Sequence, residues 1–372
     1  MKKQTVAAII IGIVAGGLHL GAFADKHENE QKDKKKGHEH TEKHSRSPLK
    51  VALWGDEFYS SVEGIKTRQI DQTIASMNHH KLDFTIFVGD TKSGSSLCTD
   101  QAIGQDPKDI FNRLHVPTVY SLGDNEWTDC HRTSNGSYDP IERLSYLRNN
   151  FFNSNKSQGK RPLRLQRQGA YGQEYSENSR FVKNNVEFVT LHIPGSNNNL
   201  VATTKQCTKK SNRTQADCDA ATAEYMARNP KNIEWLKDSF AAAKEQRYAG
   251  ILIAIQADMY FPFELSDGIY QDEFLPAIQD ENNGYREFFN TLVEETQSFD
   301  GKVLLVHGDS HYFKIDKPMY NDPVPGTGQE LGRLTPNFTR VEVFGSEDNS
   351  WVEMTVDPKS ENVFSFEQVN LQ

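Results

Sequence analysis

Near the C-terminus the chain reads Leu304-Leu305-Val306-His307-Gly308-Asp309-Ser310-His311. An apolar run stops abruptly at imidazoles and a carboxylate, the side chains that bind metal ions. The same kind of ending recurs upstream. Apolar runs lead into Gly55-Asp56, Gly89-Asp90 and Gly123-Asp124-Asn125-Glu126, and another leads into Gln256-Ala257-Asp258. Glycine lets the backbone turn sharply while a short acid projects from the turn. A single Gly-Asp is most simply a turn whose Asp caps the next helix. Several carboxylates brought to one crevice repel one another unless cations lie between them. Paired metal ions, about 3.5–4 Å apart, hold phosphate and activate water.

The elements that must position these groups alternate. Residues 50–56, 84–90, 117–124, 251–258 and 302–309 are continuous β-branched and apolar runs of strand length. Between them, residues 62–77, 107–114, 139–151, 231–246 and 284–297 have helix spacing. Residues 169–199 hold two strand runs around Lys183-Asn184-Asn185 and then a Gly/Asn-rich loop. Three alternating runs after residue 338 read as antiparallel strands. Continuous apolar strands alternating with helices predict an α/β fold whose sheet is buried on both faces. Ligands in such sheets bind beyond the carboxyl ends of the strands, which is where the Gly-Asp turns lie.

The order Asp56, Gly89-Asp90, Gly123-Asp124-Asn125-Glu126 and Gly308-x-x-His311 resembles the calcineurin-like metallophosphoesterases over about residues 50–315. That resemblance implies a four-layer α/β/β/α sandwich with mixed sheets, the strands after residue 338 suiting its second sheet. It implies metal ligation by Asp56, Asp90, Asp124, Gln256, Asp309 and His311. The chain departs from the family pattern where Phe58, Asn125, Gln256 and Asp309 replace imidazoles, and where Asp124 replaces an asparagine. The resulting shell is rich in oxygen, which favours Mn, Mg or Ca over Zn, as one or two ions. Asn125, with His131 and Arg132 in the loop that follows, is the candidate catalytic set: His131 to supply a proton, Arg132 to clamp a phosphate oxygen. His192 ends a strand run and either lines the cleft or is structural. His307 is open between cleft and sheet packing, while Trp127 and Tyr312 read as packing residues. Substrate contacts are expected from the loops 91–107, 126–138 and 194–215.

The rest of the chain bounds this reading. Residues 1–24, with Lys2, Lys3 and a short apolar core before Ala22-Phe23-Ala24, read as a cleaved signal peptide of an exported, periplasmic or extracellular protein. Residues 25–47 carry His27, His38, His40 and His44 among lysines and acids, lack large apolar residues, and read as a disordered linker. The phosphoesterase domain would then be residues 48–372, with no transmembrane span after signal cleavage. The chain has a formal charge of −9, and without the two leader lysines and a linker of net +1 the remainder stands at −12. An acidic body argues against specific nucleic-acid binding and requires local cations for an anionic substrate. Four cysteines behind an export signal predict two disulfides. Cys98–Cys130 would join loops after two Gly-Asp turns, and Cys207–Cys218 would close a short polar loop. The expected function is hydrolysis of a phosphorylated small molecule or phosphodiester. The alternatives are a non-hydrolytic metal-binding protein on the same fold, and a surface binding module built on residues 195–199 and the His-rich tether.

Overall fold

The structure is a computed structural model describing residues 47–259, 263–266, 269–271, 281–319, 335–346 and 348–371. The leader and linker readings fall outside the described residues. In chain order the strands are β1 (Leu49–Trp54), β2 (Phe84–Phe87), β3 (Thr118–Tyr120), β4 (Gln166–Arg167), β5 (Ser179–Lys183), β6 (Val186–Thr190), β7 (Gly250–Ala254), β8 (Phe263–Ser266), β9 (Ile269–Gln271), β10 (Lys302–His307), β11 (Lys314–Asp316), β12 (Phe338–Glu342), β13 (Ser350–Val356) and β14 (Phe364–Asn370). The principal helices are α1 (Glu63–His79), α2 (Asp106–Phe111), α3 (Pro140–Phe151), α4 (Gln215–Gln246) and α5 (Arg286–Gln297).

Two sheets form the core: β14-β13-β1-β2-β3 and β11-β12-β10-β7-β6-β5-β4. Strands β1, β2 and β3 run parallel, as do β6, β7, β10 and β12; antiparallel strands complete one edge of the five-stranded sheet and both edges of the seven-stranded one. Alternation along each strand sorts its side chains into layers. Val51 and Leu53 of β1 pack with Leu252 and Ala254 of β7 and Leu304 and Val306 of β10, between the sheets. Their neighbours Ala52 and Trp54 face α1 and α3 through Ile74, Met77, Leu144 and Leu147. Ile251, Ile253, Val303 and Leu305 face α4 and α5 through Trp235, Leu236, Phe240, Phe288 and Leu292. Continuous apolar strands are therefore a consequence of burial on both faces, and the layer order is the α/β/β/α sandwich expected.

Two expectations need correction. The strands after residue 338 do not form one antiparallel set: β12 lies parallel to β10 in the seven-stranded sheet, while β13 and β14 complete the five-stranded one. Alternation reports one buried face but not which sheet supplies the partner. The helix expected at 231–246 begins sixteen residues earlier, at Gln215. Thr214 Oγ1 accepts from Asp217 N while Asp217 Oδ2 accepts from Thr214 N, a capping box visible in the sequence as Thr-x-x-Asp. Pro230 inside the helix costs about 3 kcal/mol. Burial of Tyr225, Arg228, Asn232 and Trp235 on either side of it overrides that cost.

Arg228 and Asn232 tie α4 to the chain leaving β6, both donating to the His192 carbonyl at 2.7 and 2.8 Å. The His192 ring is buried, with Nδ1 2.9 Å from Glu177 Oε1, so it is a structural residue. Burial first, and the Arg228 charge second, lower its pKa from 6.5 to about 4. Between those values the unfolded chain binds a proton that the folded chain does not, so stability rises with pH across the window and is lost as pH falls. Urea midpoints should decline from about pH 6.5 to about pH 4, and His192→Asn should flatten that slope. An unchanged slope would place the dependence elsewhere.

Candidate metal centre

The Gly-Asp turns after β1, β2, β3 and β10 meet at one edge of the sandwich. Asp90, Asp124 and Asp309 each offer a carboxylate oxygen within 4.8 Å of the others. Asp90 and Asp124 leave the five-stranded sheet and Asp309 the seven-stranded one, so the group straddles the two. Asp56 joins through Asp309, whose N–H donates to Asp56 Oδ2 at 3.1 Å. His311 Nε2 lies 3.5 Å from Asp56 Oδ1.

Local backbone geometry explains the glycines. A Cβ on Gly123 would fall inside contact distance of Asp90 Oδ1, and one on Gly308 inside contact distance of Asp56 Oδ2. Each glycine is the surface against which another turn's carboxylate lies. Asp56, Asp90, Asp309 and His311 themselves adopt left-handed φ angles of 52°, 62°, 81° and 64°. Non-glycine residues reach that region at a cost and persist there where surrounding structure holds them, commonly at functional sites.

Two buried acidic groups show why this one calls for an external cation. Asp258, His307 and Glu342 also lie within 4.8 Å of one another. There Lys314 Nζ sits 3.0 Å from Glu342 and 3.8 Å from Asp258, and Arg340 sits 3.7 Å from Asp258. Burial raises Asp258, but His307, Lys314 and Arg340 together hold it below the usual carboxylate range. Among the described residues no Lys or Arg forms an ion pair with Asp90, Asp124 or Asp309. Burial pushes all three upward, aided at Asp90 and Asp309 by the charges of Asp124 and then Asp56, and opposed at Asp124 by Ser196 and Arg132. At 4.8 Å two carboxylates repel by about 3–4 kcal/mol at an effective dielectric of about 20. Protons or a divalent ion relieve that repulsion, and the all-oxygen donor set fits a hard divalent ion.

Neutral donors already occupy part of the group. Asn125 Nδ2 donates to Asp90 Oδ2 at 2.7 Å, and Tyr59 OH lies 3.2 Å from the same oxygen and 3.3 Å from Asp56 Oδ1. Ser196 Oγ stands 2.7 Å from both Asp124 Oδ2 and Asp129 Oδ1. One hydroxyl has one proton, so the second contact needs a protonated carboxyl. Burial and the Asp124 charge push Asp129 up to about 7.

The expected site residues therefore divide. Asp56, Asp90, Asp124, Asp309 and His311 converge. Gln256 reaches the group with the wrong atom for a ligand. Its Oε1 accepts from Gly195 N at 2.5 Å, which turns Nε2 toward Asp309 and Asp124 at 3.1 and 3.4 Å. It is a donor between two acids, not an oxygen ligand. Phe58 is core, edge-on to Trp54, and His307 faces Asp258 within the cation-compensated group. Trp127 is buried, while Tyr312 is exposed and not packed.

The catalytic set is also revised. Asn125 lies on the metal group, its carbonyl 3.7 Å from both sulfurs of the Cys98–Cys130 disulfide, which braces this loop. Arg132 pairs with Asp129 at 2.6 Å while remaining partly exposed at the cleft. His131 does not suit the proton-donor role. Its Nδ1 faces the Thr128 carbonyl, which only accepts, so Nδ1 carries the hydrogen and Nε2 is left as an acceptor. Burial and Arg213 lower its pKa to about 4. Asp129 and Ser196 lie in the loops 126–138 and 194–215 expected to contact substrate but were not singled out there; Tyr59 was missed, its one sequence signal being its place three residues after Asp56.

No family model and no curated protein matches the chain. Similar solved structures include a dimetal phosphatase from Danio rerio, with 9% identity over 88% of this chain and 100% of that one and a TM-score of 0.43. They also include GAP50, the anchor in the inner membrane complex of Plasmodium (11% identity, 88% and 90% covered, TM-score 0.43). A third is PhoD (13% identity, 84% and 64% covered, TM-score 0.46). Likeness at this level does not extend to chemistry, which rests on the side chains.

Gly123→Ala should displace both the Asp90 carboxylate and the Asp90 backbone, since the added Cβ falls inside contact distance of Asp90 Oδ1 and Asp90 N. Calorimetric titration with Mn is expected to show affinity reduced at least about tenfold, the scale of a disturbed ligand-orienting contact. Unaltered affinity would mean that the close approach is unnecessary.

Proposed function

We propose that this chain is an exported, divalent-metal-dependent phosphoesterase acting on a phosphate mono- or diester of a small molecule. The single observation that carries the reading is the buried Asp90-Asp124-Asp309 group. It is drawn from both sheets, with Asp90 and Asp309 on left-handed backbone, and is uncompensated by any Lys or Arg ion pair among the described residues. Asp90, Asp124 and Asp309 would hold the ion, with Asp56 and His311 beside them. One such group fits one tightly held ion, and Mn, Mg or Ca suits its oxygens better than Zn. When bound, such an ion supplies charge stabilisation to phosphoryl oxygens and makes water more acidic.

The chain's own residues do the rest. Asn125 orients Asp90 through its amide. Gln256 holds Asp124 and Asp309 together by donating to both. Arg132, at the cleft rim, presents a guanidinium whose planar donors match a phosphate. Export is supported by the two disulfides, and no described helix is long and apolar enough to cross a membrane. The acidic body speaks against nucleic acid as substrate.

A second reading has its own observation. Tyr59, Asn125, Gln256 and Ser196 already satisfy oxygens of the acidic group, and His131 is neutral and pinned. This describes a non-hydrolytic protein as well as an enzyme. Purified protein, untagged and dialysed, should turn over a chromogenic phosphomonoester or diester with Mn, Mg or Ca. Chelation should remove that activity, and Asp90→Asn should lower it by about a thousandfold or more, the scale of losing a key electrostatic contact. Tight metal binding with no turnover would establish the second reading. Two stoichiometric zinc ions by elemental analysis would overturn the metal assignment.

A further inference from the structure

Beside the acidic group opens a cleft of about 910 Å³. Ser196 and Asp129 belong to its wall, and Ser196 also touches Asp124, so the cleft and the carboxylates share a partition one side chain thick. The cleft's charge is opposite to that of the body. Arg132, Lys209, Lys210 and Arg213 line it, and Asp129 is the single carboxylate among the lining residues. Asp129 is already paired with Arg132.

The other three cations have no such partner. Among the described residues none of Lys209, Lys210 and Arg213 forms an ion pair. Arg213 Nε is buried without a hydrogen-bond partner, and its guanidinium makes one contact, 3.5 Å, to the Cys207 sulfur. Arg213 as a whole is half-buried and feels Asp217, Asp129 and Asp139 only beyond ion-pair distance; a partly buried guanidinium with no ion-pair partner gains when an anion completes it.

The loop that carries these cations is also held in place. The Cys207–Cys218 disulfide staples their loop to the first turn of α4. The Lys210 carbonyl accepts from Thr133 N at 2.9 Å and from Thr133 Oγ1 at 3.3 Å, fastening the loop to the segment that follows Arg132. Arg132 and Ser211 form a β-bridge at the same seam. Fixed charges recognise an anion with less ordering cost than mobile ones.

We propose that this cleft binds a second phosphate of the substrate, so that the preferred substrates are small molecules carrying two phosphates. One phosphate would lie at the Asp90-Asp124-Asp309 group, and the other between Lys209, Lys210 and Arg213. The proposal rests on the phosphoesterase reading and narrows it. A monophosphate satisfies only the acidic group and its metal; a bisphosphate also satisfies the stapled cations.

The test compares 1,6-hexanediol bisphosphate with hexyl phosphate, for the native protein and for Lys209→Glu/Lys210→Glu. Both lysines are exposed, so the variant is expected to fold. The native protein should favour the bisphosphate in kcat/KM. The double variant should lower the ratio of the two kcat/KM values about tenfold, at the low end of what local charge does to encounter with an anion. Native preference for hexyl phosphate, or an unchanged ratio, would overturn the proposal. If the native protein turns over neither these compounds nor the chromogenic mono- and diesters, the phosphoesterase reading fails, and the cleft is then judged by binding alone. Calorimetric binding of the bisphosphate to Asp90→Asn, weakened about tenfold by adding Lys209→Glu/Lys210→Glu, would sustain the anion site. Equal binding with and without the lysines would remove it.

Discussion

Three carboxylates that repel one another are held together at the seam between two sheets. Asp90, Asp124 and Asp309 stay within 4.8 Å because strand ends from both halves of the sandwich deliver them there. Glycines beneath them allow the close approach, and the backbone at Asp90 and Asp309 accepts left-handed geometry to aim them. A fold that spends conformational strain to gather like charges implies a compensating charge from outside. The nearby Asp258-His307-Glu342 group is a control within the same molecule. It is at least as buried, but Lys314 and Arg340 compensate it, and the direction of the Asp258 shift reverses.

The neutral donors around the site are part of the same balance. Hydrogen bonds to charged groups contribute about 1.5–3 kcal/mol each, so Tyr59, Asn125, Gln256 and Ser196 offset a share of the repulsion. Gln256 stands where the resemblance led one to expect an imidazole ligand. It serves instead as a clamp, because Gly195 N takes its oxygen. The Gly195–Asn199 loop thereby reaches the site from the far sheet, with Ser196 to Asn199 all in left-handed conformation. Arg228 of the long helix α4 holds that loop from behind. Packing of α4, loop strain and acid geometry form one connected arrangement.

Much of the layering was legible beforehand. Runs such as Leu304–Val306 are apolar at every position, which only double burial explains, and the Gly-Asp pairs at their ends marked where the crevice would lie. The same local rules did not assign β12, β13 and β14 to sheets, since alternation is blind to the partner. Pro230 also hid the first half of α4, although Thr214-x-x-Asp217 announced its start.

The structure fixed the favoured Cys98–Cys130 and Cys207–Cys218 pairing, while the sequence by itself determined the α/β layering, the presence of two disulfides, and the gathering of carboxylates at strand ends. These follow from local periodicity, turn chemistry and residue type. Only the tertiary structure decided which way each polar side chain serves. Gln256 became a donor because Gly195, sixty-one residues away, claims its oxygen. His131 became neutral because burial and Arg213 disfavour its charge. Tyr59 became a site residue because its hydroxyl spans Asp56 and Asp90. Hydrogen-bond direction and charge state depend on neighbours distant in sequence, and those neighbours exist only once the two sheets have closed.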